Sequence, residues 1–108
     1  MKLYLLEQNL NNTWDTFDSC LVVAPNEDIA RTIHPYTNPN GYCYSKSKTI
    51  IEHNELNWNN EDRYYDRTRK GDSWVKRSLR SRIKVTYIGE ADSKYTEPQC
   101  IIASYNAG

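Results

Sequence analysis

Glycine and proline are scarce, four of each in 108 residues, and the chain contains no G-x-x-x-x-G-K-[ST], G-x-G-x-x-G or G-x-S-x-G run. A glycine loop that cradles phosphates and a strained nucleophile elbow are therefore not written in the sequence. Long apolar runs are missing too. The longest, Leu3 to Leu6 and Cys20 to Ala24, fall far short of the roughly 20 residues a membrane-spanning helix needs. Glu7, Gln8 and Asn9 break the first of them before it reaches the roughly 7 to 15 apolar residues of a secretory signal. Three cysteines (Cys20, Cys43, Cys100) with no C-x-x-C pair make a poor disulfide framework and fit a reducing compartment. A cytoplasmic protein with no membrane partner is the expectation. Net charge is also lacking, with 14 bases against 14 acids, so no overall field steers the chain toward DNA or an anionic membrane.

Aromatic residues are plentiful, 12% of the chain with nine tyrosines and three tryptophans, which sets it apart from disordered sequences. The length suits one domain, residues 1–108. Lys2 to Gln8 and Thr16 to Ala24 are β-prone runs around a turn-rich break, and they predict a hairpin. Asn26 followed by Glu27 and Asp28 predicts a capped helix from Glu27 to Ile33, with Ile29, Ala30 and Ile33 on its buried face and His34-Pro35 as its stop. Ile83 to Ile88 and Gln99 to Tyr105 read as two more strands, the former with Ile83, Val85 and Tyr87 on one face. The expected fold is α+β: a small, mainly antiparallel sheet of about four strands with one short helix packed on it and a long irregular insert. The core is expected from residues 1–35 and 74–108, with a basic aromatic insert over 36–73. Within the insert, Tyr36 to Ser47 is loop chemistry, Lys48 to Glu52 suits a short strand, and Asn54 to Tyr65 is evenly balanced between helix and irregular chain.

Charge is distributed unevenly. Residues 1–35 carry two bases and five acids, residues 36–85 eleven bases and six acids, and residues 86–108 one base and three acids. From Arg67 to Lys84 eight bases face one acid, Asp72, with Tyr64, Tyr65 and Trp74 close by. Arginine pairs bidentately with phosphate or carboxylate and aromatic faces stack on bases, so this mixture suits a nucleotide, a nucleic-acid strand or an acidic protein surface. Arg67, Arg69, Arg77, Arg80 and Arg82 are the candidate anion contacts, and Tyr64, Tyr65 and Trp74 the candidate stacking or anchoring groups. A solvated charge run with Trp74 as a buried anchor explains the same residues without a ligand.

Chemistry is less well supported. His34, Cys43 and His53 are spaced nine and ten residues apart, which matches no zinc pattern, and no cofactor is expected. A hydrolase built on Cys20, or on Asp15, Asp18 and His34, is the enzymatic alternative. Cys20 beside Leu21, Val22 and Val23 more naturally reads as a small core residue.

The segments KLYLLEQN and WDTFDSCLVVAPNEDIARTIHP, with WV, IKVTYIGEAD and IIASYNAG later, resemble a group of small, uncharacterised phage and prophage proteins. The resemblance covers residues 1–35 and 74–108, its most specific pieces being D-S-x-x-V-V-A, A-R-x-I-H-P and Y-I-G-E-A. It implies an accessory role inside a bacterial cell and carries over no catalytic residues. Two roles fit: a homo-oligomeric sponge that sequesters a nucleotide-derived defence signal, and an inhibitor that docks on a host defence protein. Sequence-nonspecific binding of single-stranded nucleic acid is the remaining alternative.

Overall fold

A computed structural model describes residues 1–12, 15–39, 48–63 and 73–106. It contains a four-stranded antiparallel sheet of order β3-β1-β2-β4, formed by β1 (Lys2–Glu7), β2 (Thr16–Ala24), β3 (Lys84–Glu90) and β4 (Gln99–Asn106). The expected α+β class and the expected strands are present. β1 and β2 form the central hairpin, in register from Lys2↔Ala24 to Glu7↔Ser19. Gln8 organises its turn: Oε1 accepts from the backbone N–H groups of Leu10 and Asn11, each at 2.8 Å, and Nε2 donates to the Asn11 and Phe17 carbonyls. Asp15 takes φ 63° on the way into β2, a left-handed conformation that aspartate tolerates better than most residues.

Alternation sorts the sheet into two faces. Tyr4 and Leu6 of β1, Cys20, Val22 and Ala24 of β2 and Cys100 of β4 point into the core. Leu5, Leu21 and Ile102 lie opposite one another on the other face, where Ile102 is 64% exposed.

Helix α1 (Glu27–Arg31) starts where the capping signal placed it, with Asn26 Oδ1 accepting from Ile29 N at 2.9 Å. It ends two residues before the expected Ile33. Ala30 and Ile33 are buried as expected, but Ile29 is partly exposed.

The segment between the two halves of the sheet is less irregular than its sequence suggests. Lys48 to Glu52 is not a strand: helix α2 (Ile50–Arg63) begins there, with the Thr49 hydroxyl accepting from Glu52 N at 3.1 Å. A 3-10 turn (Arg77–Arg82) then leads into β3. Trp58 of α2 joins Trp74, Val75, Ile83 and the sheet residues in one core. No helix among the described residues is long and apolar enough to cross a membrane.

Cys20 and Cys100 are both buried free thiols. Burial, then the contact with Cys100, pushes the Cys20 thiol well above its ordinary pKa. A thiol raised in this way stabilises the fold fully below its unfolded pKa, and that contribution is lost as the pH climbs toward the folded value. Stability is therefore expected to fall above about pH 8.5, and less steeply in Cys20→Ala, as read from urea midpoints across an alkaline series.

Candidate functional site

Two polar clusters stand out, one exposed and basic, the other buried. The exposed cluster follows from the three-residue period of the 3-10 turn, which puts Arg77 and Arg80 on one side of it. Both meet α2. Glu55, Asn59 and Asp62 recur along one stripe of that helix at helical spacing, and all three accept from Arg77: Asn59 Oδ1 from Nη2 at 2.8 Å, Asp62 Oδ2 from Nε at 3.1 Å, and Glu55 from Nη1. The Arg77 backbone N–H adds a bond to Asp62 Oδ1 at 3.1 Å. These contacts raise the Arg77 pKa, the Glu55 hydrogen bond most, with partial burial opposing.

Arg80 lies over the Trp58 ring, 5.2 Å from its centroid. Burial lowers its pKa first and the neighbouring Arg77 charge next. Arg82 lines an open polar groove of about 320 Å³ with Glu7, Gln8, Asn9 and Lys84. The Gln8 amide is already committed to its turn, so the groove's donors to a ligand would be Asn9 and the two cations. Of the five cations from Lys76 to Lys84, Arg77 has carboxylate partners; Lys76, Arg80, Arg82 and Lys84 make no ion pair among the described residues.

The sequence-derived candidates thus divide. Arg80 and Arg82 remain available to an anion, whereas Arg77 is already bound by α2. Trp74 is fully buried, so it anchors the core and offers no face to a ligand, and its Nε1 has no hydrogen-bond partner among the described residues. Tyr64, Tyr65, Arg67 and Arg69 lie outside the described residues.

The buried cluster joins α1's exit, α2 and the approach to the 3-10 turn. Glu61 Oε1 accepts from Ser73 Oγ at 2.8 Å and lies 2.6 Å from His34 Nε2, and Ser73 N donates to Oε2 at 3.1 Å. His34 Nδ1 accepts from the Tyr36 backbone N–H at 3.1 Å, which leaves the ring proton on Nε2, pointing at Glu61. Around it, Asn54 Oδ1 accepts from His34 N and Thr37 Oγ1, while Asn54 Nδ2 and Trp58 Nε1 both donate to the Thr32 carbonyl. The Trp58 ring edge packs on His34, and Tyr36 stacks beside it.

Serine, histidine and glutamate here do not form a nucleophile relay. In such a relay the histidine stands between hydroxyl and carboxylate, whereas Glu61 stands between Ser73 and His34 and all three are nearly solvent-free. His34 turns to α2, while Asp18 is exposed on β2 and Cys20 faces the core. Among the described residues no group of three His, Cys, Asp or Glu side chains converges to hold a metal. No protein-family model, curated protein or solved structure matches this chain.

Proposed function

We propose that this chain is a non-enzymatic binding protein that takes an anionic ligand on Arg80 and Arg82. In keeping with the phage proteins its motifs resemble, the ligand proposed is a nucleotide-derived signal of host defence, which the protein sequesters. The supporting observation is the unequal treatment of the basic segment: Arg77 is neutralised by Glu55 and Asp62, while Arg80, which feels the same two carboxylates from further off, and Arg82 make no ion pair among the described residues. Cations without an ion-pair partner favour phosphate or carboxylate over neutral ligands.

Arg80 also supplies a readout, because a ligand that draws its guanidinium away from Trp58 changes the environment of that indole. Titration with linear and cyclic oligonucleotides should give a saturable change in tryptophan fluorescence. The double variant Arg80→Ala/Arg82→Ala is expected to lose at least about tenfold in affinity, which corresponds to about 1.4 kcal/mol. Arg77→Ala should keep its affinity and instead lose about 1 kcal/mol of stability, since its partners are partly exposed and screened. A steep fall of affinity with salt, extending over long single strands, would move the assignment to nonspecific nucleic-acid binding. Capture of a host protein that survives Arg80→Glu/Arg82→Glu would move it to direct inhibition of an effector. Failure of every anionic ligand to bind would remove the proposal.

A further inference from the structure

The acidic beginning and the acidic end of the sequence meet around a recess that the anion surface does not use. Helix α1 and its exit, the first turns of α2 and the segment before β4 enclose about 220 Å³ that opens to solvent. Ile29, Ile33, Ile50, Ile51 and Pro98 supply its apolar walls. Ile29, expected on the buried face of α1, is left 37% exposed here, and Ile51 is 77% exposed.

Three polar residues line the same recess: Thr32, Asn54 and Glu97. Two of them are spent inside the fold. Thr32 Oγ1 donates to the Ile29 carbonyl at 2.7 Å, and Asn54 bonds His34 N, Thr37 Oγ1 and the Thr32 carbonyl. Glu97 has its backbone fixed by Gln99 Nε2, which donates to its carbonyl at 3.1 Å, but its carboxylate makes no ion pair among the described residues. No lysine or arginine lines the recess, and Arg31 of α1 is drawn away to Glu27 and the Ile83 carbonyl. Asp28, next to Ile29, adds a second carboxylate nearby, its side chain 98% exposed.

Apolar walls, one unpaired carboxylate and no cation call for a ligand with the complementary halves. We propose that this recess binds a small amphiphilic cation, an aliphatic chain ending in a primary ammonium, with the chain against the isoleucines and the ammonium on Glu97. A free small molecule suits it better than a partner's helix. Such a helix needs a run of pockets for side chains at i, i+3 or i+4 and i+7, whereas eight residues enclose a single recess here. The inference is independent of the anion surface, whose charge is opposite.

Solution NMR of the full chain with methyl-labelled isoleucine tests this, using butylammonium, hexylammonium, hexanol and hexanoate as probes at constant pH and ionic strength. Hexylammonium should show saturable, millimolar binding with shifts centred on Ile29, Ile33, Ile50 and Ile51. It should bind at least about threefold tighter than butylammonium, since each methylene buried contributes up to about fourfold. Against hexanoate, which Glu97 repels, the margin should be at least about fivefold. Glu97→Gln should weaken hexylammonium about threefold and leave hexanol unchanged, and Ile51→Ser should weaken both. Both residues are exposed, so the variants should fold, as their amide spectra will show. No saturable shift, equal affinity for hexanoate, affinity indifferent to chain length, or a Glu97→Gln variant that binds as the parent does would each overturn the proposal. A capped lysine that binds tighter than butylammonium would also overturn it, by assigning the recess to a side chain of a partner protein.

Discussion

Glu61→Ala is expected to remove about 3–5 kcal/mol of stability, because it leaves three buried donors without their acceptor at about 1–3 kcal/mol each. For a domain of this size the melting temperature then falls by about 15 °C or more. The reason lies in what is left behind. Glu61 is 2% exposed and gathers the Nε2–H of His34 with the hydroxyl and backbone N–H of Ser73. Alanine strands all three donors in a space that water does not reach, and each orphaned donor costs about 1–3 kcal/mol. Glu61→Gln keeps an acceptor oxygen but turns an N–H₂ toward donors, so an intermediate loss of about 1–3 kcal/mol is expected. Urea melts followed by tryptophan fluorescence measure both. A loss below about 1 kcal/mol for alanine would mean that the cluster is solvated or rebuilt, contrary to the burial described.

That cluster also shows where sequence reading ran out. The first two strands were legible as short β-prone runs around a turn-rich break, and the third from its alternation; which of the adjacent apolar residues face inward, Tyr4 and Leu6 and not Leu3 and Leu5, came from the fold. Helix α1 was legible from Asn26 and the two acids after it. Helix α2 was legible only as an even balance between helix and irregular chain over Asn54 to Tyr65, because its buried side is mostly polar: His53, Asn57 and Glu61 are buried with Trp58, and Asn54 faces the same way into the Thr32–Thr37 segment. A hydrophobic period cannot reveal a face whose burial is offset by hydrogen bonds. The signal that was there is Thr49-Ile50-Ile51-Glu52, a capping-box spacing whose threonine does cap the helix.

The basic segment was legible as composition but not as geometry. Eight bases in a short run do not say which are already paired, and α2, left evenly balanced between helix and irregular chain, supplies the Glu55, Asn59 and Asp62 that take Arg77 out of play. The same limit applies to Trp74. Next to so many arginines an indole reads equally as a stacking platform or an anchor, and only the fold, which encloses it completely, chooses the anchor.

Trp58→Ala is expected to cost about 3–5 kcal/mol, as do most deletions of a fully buried aromatic ring. Truncation to phenylalanine is the sharper experiment, because the two buried tryptophans differ in their N–H. Trp58 Nε1 donates to the Thr32 carbonyl at 2.8 Å, and its ring lies under Arg80 and meets His34 in an edge contact. Phenylalanine keeps much of the packing but loses that bond, at about 1–2 kcal/mol; the Thr32 carbonyl itself stays satisfied by Asn54 Nδ2 at 2.7 Å. Trp74 Nε1 is buried with no partner among the described residues, so Trp74→Phe removes a polar group that is already a liability. The cavity opened opposes that gain, and the net change should lie near zero. Trp58→Phe is thus expected to unfold at lower urea than Trp74→Phe, by an amount equivalent to about 1–2 kcal/mol. The reverse order would place the structurally important hydrogen bond on Trp74 and would require a partner for it outside the described residues.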